Sequence, residues 1–330
     1  MKSASRMVFA ARSLNAAGAC LLAITAASAT GQSYPGRPIR LIIDFPAGGP
    51  SDALARTVGQ KLADALGQPI VCDNRPGANG VLAYSIAAKS PADGYTLVLL
   101  STPFPLNAAL RRNLPYDTIR DFTPISLIAN YYNLLIVHSA VPAQSVQQLV
   151  SYAKSKNGAM AYASSGSGSV QHLAMELFRG LAGFQAVHVP YAGSAPALLD
   201  LVGGRVDASI TLPPAAMPHI KAGRLRVLAV ATDKRLSALP EVPTLAETGY
   251  PVIANGWGGI GAARGVAKAI VQRLNAEIGR ALMFADVRER IASFGGDVRH
   301  STPEEFGKFI KDEVDRWGPV IRQAGVSLGD

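Results

Sequence analysis

Cysteine is almost absent from this chain of 330 residues, which holds only Cys20 and Cys72. Cys20 lies in a segment that reads as removable, so one thiol and five scattered histidines remain. No zinc or iron–sulfur spacing can be assembled from them, and no internal disulfide can form. Clustered Lys and Arg are missing too: the net charge of +9 is spread along the whole chain. That mild excess suits small anionic ligands and argues against nucleic acid, which calls for a basic cluster. Beyond Ala29 no apolar stretch is long enough for a transmembrane helix, so membrane contact would have to come through a partner. A G-x-x-x-x-G-K-[ST] loop and a G-x-S-x-G elbow are also lacking. Nucleotide hydrolysis and elbow-type serine chemistry therefore have no local support.

What is present begins with a targeting segment, residues 1–29. Lys2, Arg6 and Arg12 form a basic start, Ala16 to Ala27 is a short apolar run, and Ala27-Ser28-Ala29 is a small-x-small cleavage site. Cys20 sits early in the apolar run, whereas a lipid-bearing Cys should follow it, so a lipoprotein reading has little support. Removing three basic residues and no acid takes the net charge from +9 to +6. The roughly 300 residues left exceed one ordinary core and suit two lobes.

Short β-branched runs alternate with amphipathic stretches, the pattern of an α/β protein. Ile39–Ile43 reads as a buried strand, Pro46–Pro50 as a tight turn, and Ser51 as the N-cap of a helix with Leu54, Val58, Leu62 and Leu66 on one face. Further on, Met160–Ala163 is a short strand feeding the Ser/Gly-rich run 164–169, followed by a helix with Leu173, Leu177 and Leu181 facing inward. The end is helical: Thr302-Pro303-Glu304-Glu305 is a capping box, Phe306, Ile310, Val314, Trp317 and Ile321 form a stripe, and Pro319 should kink or interrupt it.

Two strand, Gly-rich turn, helix units thus stand far apart in the chain. Such a turn points unpaired backbone N–H groups and the positive end of a helix dipole at whatever lies in front, and a carboxylate or phosphate binds there without a cationic side chain. One unit alone would be an ordinary βα turn. Two Ser-bearing units, one per lobe, favour a shared anion site. Gly256–Gly261 matches G-x-G-x-x-G, but the acidic residue expected about 20 positions on falls in a helical stretch, so a nicotinamide site is rejected. Asp52 reads as a capping acid, and His172 as a support for the second turn or a pocket wall.

At this point the chain resembles a known family. Pro38–Leu41, Phe45–Asp52, Asn74-Arg75-Pro76-Gly77-Ala78, Asp93–Leu97, Leu114–Asp117, Asp121–Ile125, His188–Tyr191, Val242-Pro243-Thr244 and Trp317 are similar, in order, to the Bug family of periplasmic binding proteins of tripartite tricarboxylate transporters. The resemblance implies a two-lobed type II periplasmic-binding-protein fold, each lobe a mixed sheet flanked by helices, with ligand in the interlobe cleft. Along the chain, lobe one is expected at 30–130 and 256–330, lobe two at 131–255, and hinges near 130–134 and 252–257. The resemblance implies no catalysis, no cofactor and no metal. A small organic acid would be captured and passed to an integral membrane permease of one large and one small subunit, by a protein expected to be monomeric. Carried over by position, Ala47, Gly48, Gly49 and Ser51 would hold the ligand from lobe one, and Ser165, Gly166, Ser167 and Ser169 from lobe two. Phe45, Ser101, Tyr191, Gly193 and Thr211 would be wall residues. Family members often carry Asp where this chain has Thr211, so the expected ligand is a dicarboxylate or aromatic carboxylate without an essential ammonium. Two other readings stay open: a secreted hydrolase using Ser167 or Ser169 with His172, and the sensing subunit of a signalling system.

Overall fold

The computed structural model describes residues 34–328, the side chain of Pro50 excepted. The leader, its cleavage site and Cys20 lie outside the described residues. Residues 34–36 contribute a bend, and from Arg37 onward the chain forms one compact unit.

In chain order the elements are β1 (Ile39–Ile43), α1 (Pro50–Leu66), β2 (Ile70–Asn74), a 3-10 turn (Ala78–Gly80), α2 (Val81–Ala88), β3 (Thr96–Ser101), α3 (Pro103–Leu110), β4 (Phe122–Tyr131) and β5 (Leu134–His138). Then come α4 (Val146–Ser155), β6 (Ala161–Ser164), α5 (Val170–Ala182), β7 (Val187–Pro190), α6 (Ser194–Val202), β8 (Ala208–Thr211), α7 (Pro213–Lys221) and β9 (Leu225–Val230). The chain closes with β10 (Gly256–Ala263), α8 (Lys268–Ala281), α9 (Ala285–Ser293), β11 (Gly296–Val298) and α10 (Pro303–Ala324).

The strands form two sheets, ordered β11-β4-β10-β3-β1-β2 and β7-β6-β8-β5-β9. Both are mixed. β1 runs parallel to β2 and β3, while β10 is antiparallel to β3 and β4; in the other sheet β6 is parallel to β7 and β8, and β5 antiparallel to β8 and β9. The chain leaves the first sheet after Tyr131, enters the second at Leu134, and rejoins the first at Gly256. Helices flank each sheet, giving the two-lobed binding-protein architecture.

Local sequence explains the key elements. Ile39, Leu41, Ile42 and Ile43 are fully buried and only Arg40 is partly exposed, as in an inner strand covered on both faces. In α1, Leu54, Val58, Leu62 and Leu66 are buried, and Gly67 ends the helix in the left-handed region at φ 68. The N-cap lies two residues before the expected Ser51: Gly49 is the cap and Pro50 the first helical residue, because the fixed φ of Pro suits that first position. In α5, Leu181 is exposed, and the inward face is built by Leu173, Ala174 and Phe178 instead.

The C-terminal helix has the expected Thr302–Glu305 capping box and buries Phe306, Ile310, Trp317 and Ile321. It is not interrupted at Pro319. The carbonyl that loses its partner belongs to exposed Asp315, where water can satisfy it, while the opposite face stays packed. The G-x-G-x-x-G run is the interior of β10, not a turn. A Cβ at Gly258 would lie 2.8 Å from Leu54, at Gly259 2.3 Å from Phe306, and at Gly261 2.7 Å from Leu100. Gly258 and Gly259 let helices press onto the sheet and Gly261 makes room for a side chain of neighbouring β3, which removes the dinucleotide reading on packing grounds.

Candidate functional site

Parallel strands deliver their following helices to one end of a sheet, and ligands of open α/β sheets bind outside those carboxyl ends. Here a cavity of ≈ 520 Å³ opens there and takes its walls from both sheets' turns. Five of its lining residues are helix N-caps: Gly49 of α1, Thr102 of α3, Ser169 of α5, Gly193 of α6 and Leu212 of α7. Each brings backbone N–H groups without intrahelical partners and a partial positive charge. Among the described residues the lining contains no Asp, Glu, Lys, Arg or His. Phe45, Leu106, Val170, Leu212 and Trp257 supply an apolar girdle to the wall. Another concavity, ≈ 570 Å³, lies behind α1 beside Gly59 and Cys72, but no such set of helix starts meets there.

The first turn is held by a carboxylate. Asp52, buried in the first turn of α1, accepts the Gly48 N–H at 2.9 Å, the Arg56 Nε–H at 2.9 Å and the Asn74 amide at 2.9 Å. Burial opposes its ionisation, yet Arg56, the Gly48 amide and Asn74 outweigh that and keep its carboxyl below the ordinary value. Gly48 sits at φ +88, where a side chain would be strained.

The second turn is held by imidazoles. The Gly168 N–H donates to His172 Nδ1 at 3.1 Å, and Ser164 Oγ shares a 2.7 Å hydrogen bond with His188 Nε2. The two rings stack with centroids 3.7 Å apart and 7° between planes. Desolvation, then the neighbouring His188, push the His172 pKa down to about 4; burial lowers that of His188 as well. Both rings are therefore neutral at pH 7, as acceptance of the Gly168 N–H requires of His172. Ser169 caps α5 by accepting the His172 N–H at 3.2 Å. His172 thus faces its own turn and makes no relay with Ser167 or Ser169, which leaves the hydrolase reading without its base.

Of the residues expected to form the site, Phe45, Ala47, Gly49, Ser51, Ser101, Ser165, Ser169 and Gly193 line the cavity. Gly48, Gly166, Ser167, Tyr191 and Thr211 are not in its lining. The Gly48 and Gly166 amides are spent within their turns, on Asp52 and Ser164. The Tyr191 hydroxyl donates to Asp200 at 2.7 Å, and Thr211 is buried in β8 opposite Leu134. The charge-free lining, rather than Thr211, now argues against an essential ammonium.

Several wall residues escaped the sequence reading. Thr102 and Leu212 each precede Pro at a helix start, a signal that was there to use. Tyr131, Asn133, Gly256 and Trp257 come from the two segments that cross between sheets. No local pattern marks them, because strand order alone brings them together.

The decisive comparison is with a family model. Residues 54–326 match the tripartite tricarboxylate transporter family receptor. The chain belongs to this family. It is 39% identical to protein BugT of Bordetella pertussis over 306 residues, covering 92% of this chain and 94% of that one. A solved R. palustris protein, Rpa4515 with adipate, matches at 38% identity and a TM-score of 0.78, over 89% of this chain and 99% of the other. MatC from Rhodopseudomonas palustris with bound malate matches at 32% identity and 0.74, over 87% and 100%. Members of this receptor family are periplasmic solute-binding proteins, not enzymes.

Proposed function

We propose that the chain captures a small carboxylate between its lobes and delivers it to a membrane permease of one large and one small subunit. The reading includes export with cleavage near Ala29, lobes bounded near residues 130 and 256, and action as a monomer. Dicarboxylates and aromatic carboxylates are the favoured ligands. The observation that carries this is the meeting of five helix N-termini at a cavity with no charged side chain among its described lining residues. Such a site solvates an anion through oriented backbone N–H groups. Its apolar girdle suits an aliphatic or aromatic spacer. Adipate and malate in the two relatives are carboxylates of this kind.

The segments at 130–134 and 252–257 are the hinge in this reading. They are tied together, since Asn133 donates its side-chain amide to the Ala254 carbonyl at 2.6 Å. A thermal-shift screen over organic acids tests the function. A ligand at 100 times its Kd should stabilise the protein by roughly 2.7 kcal/mol. A melting temperature moved by neutral sugars and by no carboxylate would overturn the proposal.

A further inference from the structure

The helix starts make the cavity rich in donors, yet its floor carries oriented acceptors. Asn133 is fully buried and lines the cavity. Because its Nδ2 donates to the Ala254 carbonyl, the other end of the amide is the oxygen, and Oδ1 has no hydrogen-bond partner among the described residues. An unpaired buried acceptor costs free energy unless a ligand or water supplies a donor.

A second acceptor is set by a charge below the floor. Asp44 is buried directly after β1, and its Oδ2 accepts from both Tyr84 Oη and Ser101 Oγ. Ser101 lines the cavity at the end of β3. A hydroxyl has one proton and two acceptor sites. With its proton committed to Asp44, Ser101 can only accept from a group in the cavity. Tyr84 Oη lies 3.3 Å from Ser101 Oγ, with its own proton directed to Asp44.

Resting on the carboxylate reading above, we infer that the ligand carries a hydroxyl besides its carboxylate, read by Asn133 Oδ1 and Ser101 Oγ, with Asp44 as the positioning residue that orients Ser101. A plain dicarboxylate would leave the two acceptors without a donor of its own.

The test is calorimetric titration with matched acids: succinate against malate, and adipate against 3-hydroxyadipate. The hydroxylated member should bind about tenfold or more tightly at whichever chain length binds. Ser101→Ala and Asn133→Ala should each reduce that preference several-fold, and the double variant should bring it to parity. Asp44→Ala should behave like Ser101→Ala, since the freed hydroxyl can turn and donate. Asp44→Asn should preserve the preference, because an amide oxygen at the Oδ2 position still accepts from Ser101. Retention of the ratio by Asp44→Ala would remove the positioning role, which a merely structural defect could not mimic once Asp44→Asn restores it. Equal affinity within each pair would overturn the inference and leave the carboxylate reading standing. Binding of none of the four acids would also overturn the inference, while the carboxylate reading, which includes aromatic acids, stands or falls on the organic-acid screen above.

Discussion

The two Gly-rich turns face the same cavity, yet they are fastened by opposite chemistry. The turn before α1 hangs on the carboxylate of Asp52, whose partners hold it ionised, and a second carboxyl, Asp44, lies beneath it. The turn before α5 hangs on two stacked imidazoles that must stay neutral. One lobe therefore uses anions and the other uses uncharged bases to present the same backbone donors. The lesson is that the ligand-facing surface does not reveal its pH response; the supporting residues do.

Asp44 and His172 should pull against each other. Asp44 titrates in the fold at about 6 against an ordinary 3.8, because burial outweighs the hydrogen bonds from Ser101 and Tyr84. Among the described residues no cation shifts its carboxyl, and the buried groups around it are Ser101, Tyr84 and Tyr116. A raised acid contributes stability that is present below its unfolded pKa and lost as pH rises through about 6. His172 has the reverse sign: its pKa is lowered from 6.5 to about 4, so its contribution is present above 6.5 and lost as pH falls through about 4. Between about pH 4 and 6 the two trends offset, and wild-type stability should be nearly flat there.

The largest expected effect breaks that balance at the first turn. Asp44→Asn should raise stability at pH 8 by roughly 2 kcal/mol, less than the full linkage because the amide still leaves one buried polar atom unpaired. Denaturant melts across pH 3–8 would check it, and the gain should fade toward pH 4. A loss of stability at pH 8 would show that the Asp44 charge is compensated in a way these contacts do not reveal.

The next effect lies in the second turn and is seen best in the Asp44→Asn background. Acidification from 6.5 to 4 should then cost on the order of 2 kcal/mol, discounted for the partial exposure of the ring pair. Glu176 and Arg179 also act on His172, the first favouring its charge and the second opposing it. Adding His172→Asn should flatten the slope, since an amide oxygen can accept the Gly168 N–H without titrating. If the slope survives that change, the imidazoles are not the acid-sensitive support.

How far these supports could be read in advance depends on sequence distance. The turns themselves were legible, because Pro46-Ala47-Gly48-Gly49-Pro50 and the Ser/Gly run at 164–169 carry their signals within a few residues. Asp52 as a local acid and His172 as a turn support were legible for the same reason. Asp44 was not: its partners Tyr84 and Ser101 lie 40 and 57 residues away, Ser101 brought to it by the pairing of β3 with β1 and Tyr84 by the packing of α2. Asn133, Tyr131 and Trp257 were hidden likewise by the double crossing between sheets. The mixed two-lobed fold could be stated from the family resemblance, but the antiparallel β4–β10 centre of the first sheet had no local mark. Its glycine-rich strand even imitated a nucleotide loop until the close approaches of Leu54, Leu100 and Phe306 explained it.

The smallest effect separates support from contact at the two helix starts. Ser169 is a working N-cap, accepting the His172 N–H, so Ser169→Ala should cost about 1 kcal/mol of stability with or without ligand. Ser51 lies one residue inside α1, where Gly49 is the cap and no side chain caps the helix. Ser51→Ala should therefore shift stability by less than about 0.5 kcal/mol. Ser51 does line the cavity, so any loss should appear in ligand affinity alone. Melts of the two variants with and without a bound acid decide the matter. If Ser51→Ala destabilises the unliganded protein as much as Ser169→Ala does, both serines are structural and the first turn presents only backbone to the ligand.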